Sequence, residues 1–125
     1  DTSEEFLKKA QKHVDKVQNK AAIIELKNAI QKDQNNALAR LKLGEIYLEV
    51  GDGVSAEKEL TRAHQLKVPY VKIALPLAKA YTLQRKHNKV LSVKIEENFP
   101  AEQKAKIRVL YAQAYINLKN LKNAK

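Results

Sequence analysis

The 125-residue sequence contains no cysteine. Disulfides, thiolate metal sites and cysteine nucleophiles are therefore excluded. Only three glycines and three prolines are present, so few points exist at which a helix is forced to stop. No apolar stretch approaches the roughly 18 residues of a membrane span. Aromatic residues make up 6%, too few for the base-stacking platforms of nucleic-acid binders. β-branched runs long enough for a sheet are missing. Acidic residues nearly vanish after residue 63, where only Glu96, Glu97 and Glu102 remain.

Ala, Leu, Lys, Glu and Gln fill the sequence, and all are good helix formers. Apolar residues reach 44% and charged residues 30%, a mix that can bury a core and argues against global disorder. Residues 1–63 hold 11 basic and 11 acidic side chains, which cancel. The whole net charge of +10 therefore sits in residues 64–125. Such asymmetry points either to an anionic partner or to a solvated surface.

Shifting the sequence on itself by 34 residues gives a consistent register, with units starting at Ser3, Ala37, Val71 and Ala105. The eighth position reads Ala10, Gly44, Ala78 and Ala112. The eleventh reads His13, Tyr47, Tyr81 and Tyr115. The twentieth reads Ala22, Ala56, Val90 and Ala124. The twenty-fourth reads Leu26, Leu60 and Lys94, and the twenty-seventh Ala29, Ala63 and Glu97. Small side chains at the eighth and twentieth positions suit the crossing point of two antiparallel helices. A tyrosine three residues after the small one lies on the same helix face.

Breakers fall between the expected helices. Thr2 and Glu5 have capping-box spacing. Asp33-Gln34-Asn35-Asn36 ends on a good N-cap. Gly51-Asp52-Gly53, Val68-Pro69, His87-Asn88 and Phe99-Pro100 mark further boundaries. The spacing predicts helices near 3–17, 21–32, 37–50, 54–66, 71–85, 88–97 and 102–118. Pro76 should kink the fifth or fit within its first turn.

Leu43-Gly44-Glu45-Ile46-Tyr47, then Gly51-Asp52, Ala56, Leu60 and Ala63, resembles one full tetratricopeptide repeat. Leu77-Ala78-Lys79-Ala80-Tyr81 and Tyr111-Ala112-Gln113-Ala114-Tyr115 resemble the first helix of further units. The family's usual tryptophan appears as Phe6, Arg40, Ala74 and Arg108, and Lys94 and Glu97 depart from its apolar positions. The resemblance implies an all-α, right-handed superhelical solenoid of antiparallel helix pairs. About seven helices are expected in a single array over residues 1–125. Ala124 should open the second helix of unit four, so the expectation is a fragment of a longer array. Residues 24–33 and 51–60, with Leu66-Lys67-Val68-Pro69 and residues 75–80, are similar to the tetratricopeptide lipoproteins of the PEP-CTERM/exosortase system of Gram-negative bacteria. That similarity implies an exported protein, periplasmic or lipid-anchored at the envelope, linked to exopolysaccharide export and surface-protein sorting.

In this family the first helices line a concave face. The resemblance then assigns groove positions to Leu7, Gln11, Leu38, Leu41, Glu45, Leu48, Lys72, Leu75, Lys79, Lys106, Val109 and Gln113. A groove of this kind has an aliphatic floor, acidic to neutral at one end and basic at the other. It suits an extended or helical peptide with apolar anchors. The Lys/Asn/Arg carboxylate clamp of some chaperone-binding members is not reproduced, because Leu7, Gln11 and Glu45 stand at its positions.

Catalytic and metal chemistry find no pattern. His13, His64 and His87 fall at unrelated repeat positions without partners at ligand spacing. Glu45/Glu49 and Glu57/Glu59 read as helix-surface charge, not as a general acid and base. Asp33-Gln34-Asn35 lacks the glycine and terminal glutamate of a calcium loop. Neither a metal nor a cofactor is expected. The leading expectation is a non-enzymatic protein-interaction scaffold. The competing ones are a basic surface for acidic polysaccharide, with nucleic acid a weaker option, and self-assembly through open repeat ends.

Overall fold

The computed structural model describes residues 3–124, with the side chains at positions 3, 4 and 6–8 outside that description. Its elements are α1 (Ser3–Lys32), α2 (Ala37–Glu49), α3 (Gly53–Gln65), α4 (Tyr70–Leu83), α5 (His87–Ser92) and α6 (Ala101–Asn123). No strand occurs among the described residues. The chain is all-helical, with six helices among the described residues in place of about seven. Residues 3–17 and 21–32 form one continuous helix because Gln18-Asn19-Lys20 contains neither Gly nor Pro, and each of these residues continues a helix. The Thr2–Glu5 capping box reaches outside the described residues.

Each helix boundary has a local cause. Asn36 Oδ1 accepts the Ala39 N–H at 3.0 Å, and Asp52 Oδ1 accepts the Ser55 N–H at 3.0 Å. Both satisfy N–H groups that an uncapped first turn leaves orphaned. Pro69 and Pro100 precede α4 and α6. α2, α3 and α4 each end in a left-handed residue: Gly51 at φ 80°, Lys67 at φ 84° and Arg85 at φ 57°. The following N–H groups of Asp52, Val68 and Lys86 reach back to Tyr47, Ala63 and Tyr81 carbonyls at 2.9, 3.1 and 2.9 Å. This is the Schellman closure, made twice without glycine. Pro76 is the seventh residue of α4, beyond its first turn, and the helix runs on through it.

α5 spans six residues instead of the expected 88–97. Lys94 and Glu97 occupy positions that a buried second helix needs apolar, so the helix stops at Ser92. Val93 turns extended, at φ −74° and ψ 114°. Val93 and Phe99 then pack into the core from an irregular segment. Two tyrosines hold that segment. The Tyr70 hydroxyl accepts the Lys94 N–H at 3.0 Å, and the Tyr111 hydroxyl donates to the Val93 carbonyl.

The core has two parts. Leu43, Tyr47, Ala56, Leu60, Ala63, Ile73 and Ala80 form the first, closed from one side by Ile23, Leu26 and Ile30 of α1. Ala74, Ala78, Val93, Phe99 and Ile107 form the second. α2 touches α4 and α4 touches α6, while α3 and α5 bridge successive members of that row. Gly44, Tyr47, Ala56, Leu60 and Ala78 are buried, and Ala22 and Tyr81 are half-buried. Ala10, Ala112 and Tyr115 are instead exposed. Among the described residues nothing folds back over Ala10, because α1 does not turn. α6 packs through Ile107 and Ala114, which leaves the face bearing Ala112 and Tyr115 bare.

Close approach of backbones explains two glycines. A Cβ at Gly44 would lie 2.8 Å from Leu60 Cγ. At Gly53 it would lie 2.7 Å from the Ala80 carbonyl oxygen and 2.9 Å from Leu83 Cβ. The second clash is with backbone and cannot relax by a rotamer change. Gly53→Ala should therefore lower stability in urea unfolding by about 1–3 kcal/mol. An unchanged midpoint would refute the close contact between α3 and α4.

Candidate functional site

Two surface regions combine apolar and charged groups. The first runs across α2, α4 and α6. Leu38 is 60% exposed and Val109 is 56% exposed. Leu41, Leu48 and Leu75 are half-buried, each with one side on the core. Lys72, Lys79 and Gln113 are exposed. Lys106 is exposed and pairs with Glu102 one turn earlier at 3.0 Å. Leu75 and Lys106 share a 250 Å³ pocket with Pro100 and Gln103, where the Gln103 amide donates to the Val71 carbonyl at 2.8 Å. Of the residues assigned to the groove on α4 and α6, the structure places Leu75 and Lys106 in one pocket.

Gln11 of α1 does not join them. Gln11 lies in the N-terminal half of the continuous α1 and hydrogen-bonds its own helix, Nε2 to Asp15 Oδ1 at 2.8 Å. The side chain of Leu7 lies outside the described residues. Glu45 opens instead into the second region, a groove of about 540 Å³ between α1 and α2. Ala22, Leu26 and Ile46 form its apolar wall, and Glu25, Glu45 and Glu49 stand along its rim with Lys42. A neighbouring hollow of about 460 Å³ continues it past Glu49 and Val50 along Lys12, Asp15 and Lys16.

Behind these surfaces lies an ion pair that sequence reading missed. Arg40 Nη1 sits 2.8 Å from Glu59 Oε1, with side-chain exposures of 13% and 8%. Arg40 also donates to the Gln34 carbonyl through Nε and Nη2 at 3.3 and 3.2 Å. Arg40 is largely covered between α2 and α3, so its charge must be neutralised across the helix pair. The available signal was an arginine at the fourth position followed by a glutamate at the twenty-third.

A second polar clamp joins α4 to α3. Gln84 Nε2 donates to Glu57 Oε1 at 2.8 Å and to the Gly53 carbonyl at 3.1 Å. Lys86 Nζ lies 3.2 Å from the same carboxylate. The Gln84 amide, then Lys86 and Lys89, hold the Glu57 carboxyl below its ordinary range against a smaller opposing effect of burial. Hydrogen bonds from Ser55 do the same for Asp52, with Lys27 adding to them. Burial pushes the Tyr70, Tyr81 and Tyr111 hydroxyls upward.

Among the described residues no group of three or more His, Asp or Glu side chains could hold a metal ion. None of the described helices is long and apolar enough to cross a membrane. His87 is buried with Nε2 lacking a hydrogen-bond partner. Comparisons of the chain with protein-family models, curated proteins and solved structures return no match.

Removing one member of a buried ion pair strands the other. Arg40→Ala should destabilise the chain by about 3 kcal/mol in urea unfolding, and adding Glu59→Leu should recover part of that loss. Acid provides a separate check. Asp52 and Glu57 have lowered folded-state values, so their contribution is complete above the unfolded carboxylate range. It is lost as pH falls through the folded values. Asp52→Asn keeps the cap acceptor and should flatten the acid limb of a thermal-stability profile; an unaltered limb would contradict that assignment.

Proposed function

We propose that this chain is a non-enzymatic binding module of tetratricopeptide type, a superhelical stack of helix pairs whose α2, α4 and α6 form the concave face. The ligand is an extended or helical peptide with apolar anchors and acidic groups. One observation carries the reading: aliphatic side chains recur at the same register positions on three adjacent helices, and lysines flank them. Leu41, Leu75 and Val109 occupy the fifth position, with Lys72 and Lys106 at the second and Lys79 at the ninth. Apolar contact supplies affinity, and the lysines select an acidic flank over a basic one. Placement in envelope export rests on the sequence resemblance alone.

Selection from a displayed random-peptide library tests this proposal. Enriched peptides should combine aliphatic residues with Asp or Glu. Leu38→Lys and Val109→Lys replace exposed side chains and should each weaken binding by about tenfold or more. Binding of acidic polysaccharide with no loss in either variant would favour charge alone and overturn the peptide reading.

A further inference from the structure

The 34-residue register assigns a role to every face of a helix pair. In unit two, the fourth and eighth positions of α2 face α3. Arg40 pairs there with Glu59 at 2.8 Å. A Cβ at Gly44 would meet Leu60 Cγ at 2.8 Å and the Ala56 carbonyl at 3.5 Å. The fourth and eighth positions of α6 are Arg108 and Ala112, and both are exposed. Tyr115, the counterpart of the buried Tyr47, is 62% exposed. Among the described residues no helix lies upon this face of α6.

The C-terminal half of α1 has the opposite deficiency. Its twentieth, twenty-third and twenty-fourth positions are Ala22, Glu25 and Leu26, the counterparts of Ala56, Glu59 and Leu60. Those three of α3 are buried between α2 and α4, whereas Ala22 and Leu26 are half-buried and Glu25 is exposed. All three line the groove between α1 and α2. Among the described residues no first helix covers them, because residues 3–17 continue along α1. Among the described residues neither Glu25 nor Arg108 has an ion-pair or hydrogen-bond partner.

We infer that α6 of one copy seats in the α1/α2 groove of a second copy, pairing Arg108 with Glu25 and placing Ala112 against Ala22 and Leu26. The contact repeats the α2/α3 interface already present within the chain. Charge agrees locally, at the groove. The groove rim carries Glu25, Glu45 and Glu49 against a single Lys42, while α6 carries Lys104, Lys106, Arg108, Lys119 and Lys122 against a single Glu102. The excess length of both helices fits too. Beyond the point where a tight turn would link a pair, α6 runs on to Asn123 and α1 extends back to Ser3. In an antiparallel pair these extensions lie side by side, so Ile116 and Leu121, 59% and 54% exposed, meet the stretch bearing Val14 and Val17, 47% and 68% exposed. The contact is heterologous, head to tail, and leaves each copy free to add another.

This inference rests on the helix-pair register and not on the concave-face ligand. Light scattering across a concentration series at about 0.15 M salt reads it directly. Mass should rise with concentration. Arg108→Glu and Glu25→Arg should each weaken association by about tenfold or more, and the two combined in one chain should return it to within about threefold. A constant monomer mass, or a double variant no better than the singles, overturns the inference. Absence of native cysteine allows a second readout. Ala112→Cys mixed with Ala22→Cys should give a disulfide-linked heterodimer, and neither variant alone should cross-link. Self-linking of Ala112→Cys would indicate a symmetric contact and refute the head-to-tail one. Lys79→Glu separates the two proposals, since Lys79 lies on α4, outside both interface helices, and its change disturbs peptide binding and leaves association unchanged.

Discussion

The approach of two helix backbones where only a small side chain fits is the constraint on which this architecture depends. Gly44 faces Leu60 and Ala56 across the α2/α3 pair, and Gly53 meets the α4 backbone at Ala80. These contacts set how closely α2, α3 and α4 can lie. Leu43, Leu60 and Ile73, each at most 1% exposed, fill the space that remains. Widening either crossing would open cavities beside them. Large side chains thus supply apolar burial, and small ones decide the geometry at which it is realised.

Boundaries were legible wherever a residue imposes its own backbone. Gly51, Pro69 and Pro100 each mark an observed helix end or start, and Asn36 and Asp52 cap the helices they precede. The expected break after residue 17 had no such residue behind it. Repeat logic demanded a turn there, but Gln18-Asn19-Lys20 holds no Gly or Pro to force the helix to stop. The shortened α5 was signalled by Lys94 and Glu97, yet its replacement by Val93 and Phe99 was not, since those contacts depend on Tyr70 and Tyr111 from distant helices. Which candidate site residues share a surface was only partly readable. Leu75 and Lys106 meet because α4 and α6 touch, whereas Gln11 was separated from them by the unbroken α1. Burial at the repeat positions depends on the partner helix as much as on the residue. Ala78 and Ala112 share a register position, and only the first is covered.

Polar contacts divide the labour differently from apolar ones. Asp52 and Asn36 act within a turn, where a side-chain acceptor replaces a missing helical carbonyl. Arg40 with Glu59, and Gln84 with Glu57, act between helices, fixing the rotation of α2 against α3 and of α4 against α3. A buried ion pair adds little net stability compared with a well-packed apolar pair, but its geometry penalises any other register. Unit three has Ala74 and Val93 at the equivalent positions and lacks that device. Its second helix is also the one that ends early.

The same distinction bears on how a chain with net charge +10 could meet a copy of itself. Repulsion between whole molecules acts over the Debye length, about 8 Å at physiological salt, and is strongly screened beyond it. An Arg–Glu contact at the 2.8 Å of the Arg40–Glu59 pair lies well inside that length and, once covered, is screened much less. Burial of Tyr115, Ile116 and Leu26 is apolar and is not weakened by added salt. Apolar area must therefore carry the affinity, while the Arg108–Glu25 pair selects the register and direction. Very low salt would expose the long-range repulsion, so association of this kind should be favoured at moderate ionic strength, opposite to the behaviour of a simple polycation with a polyanion.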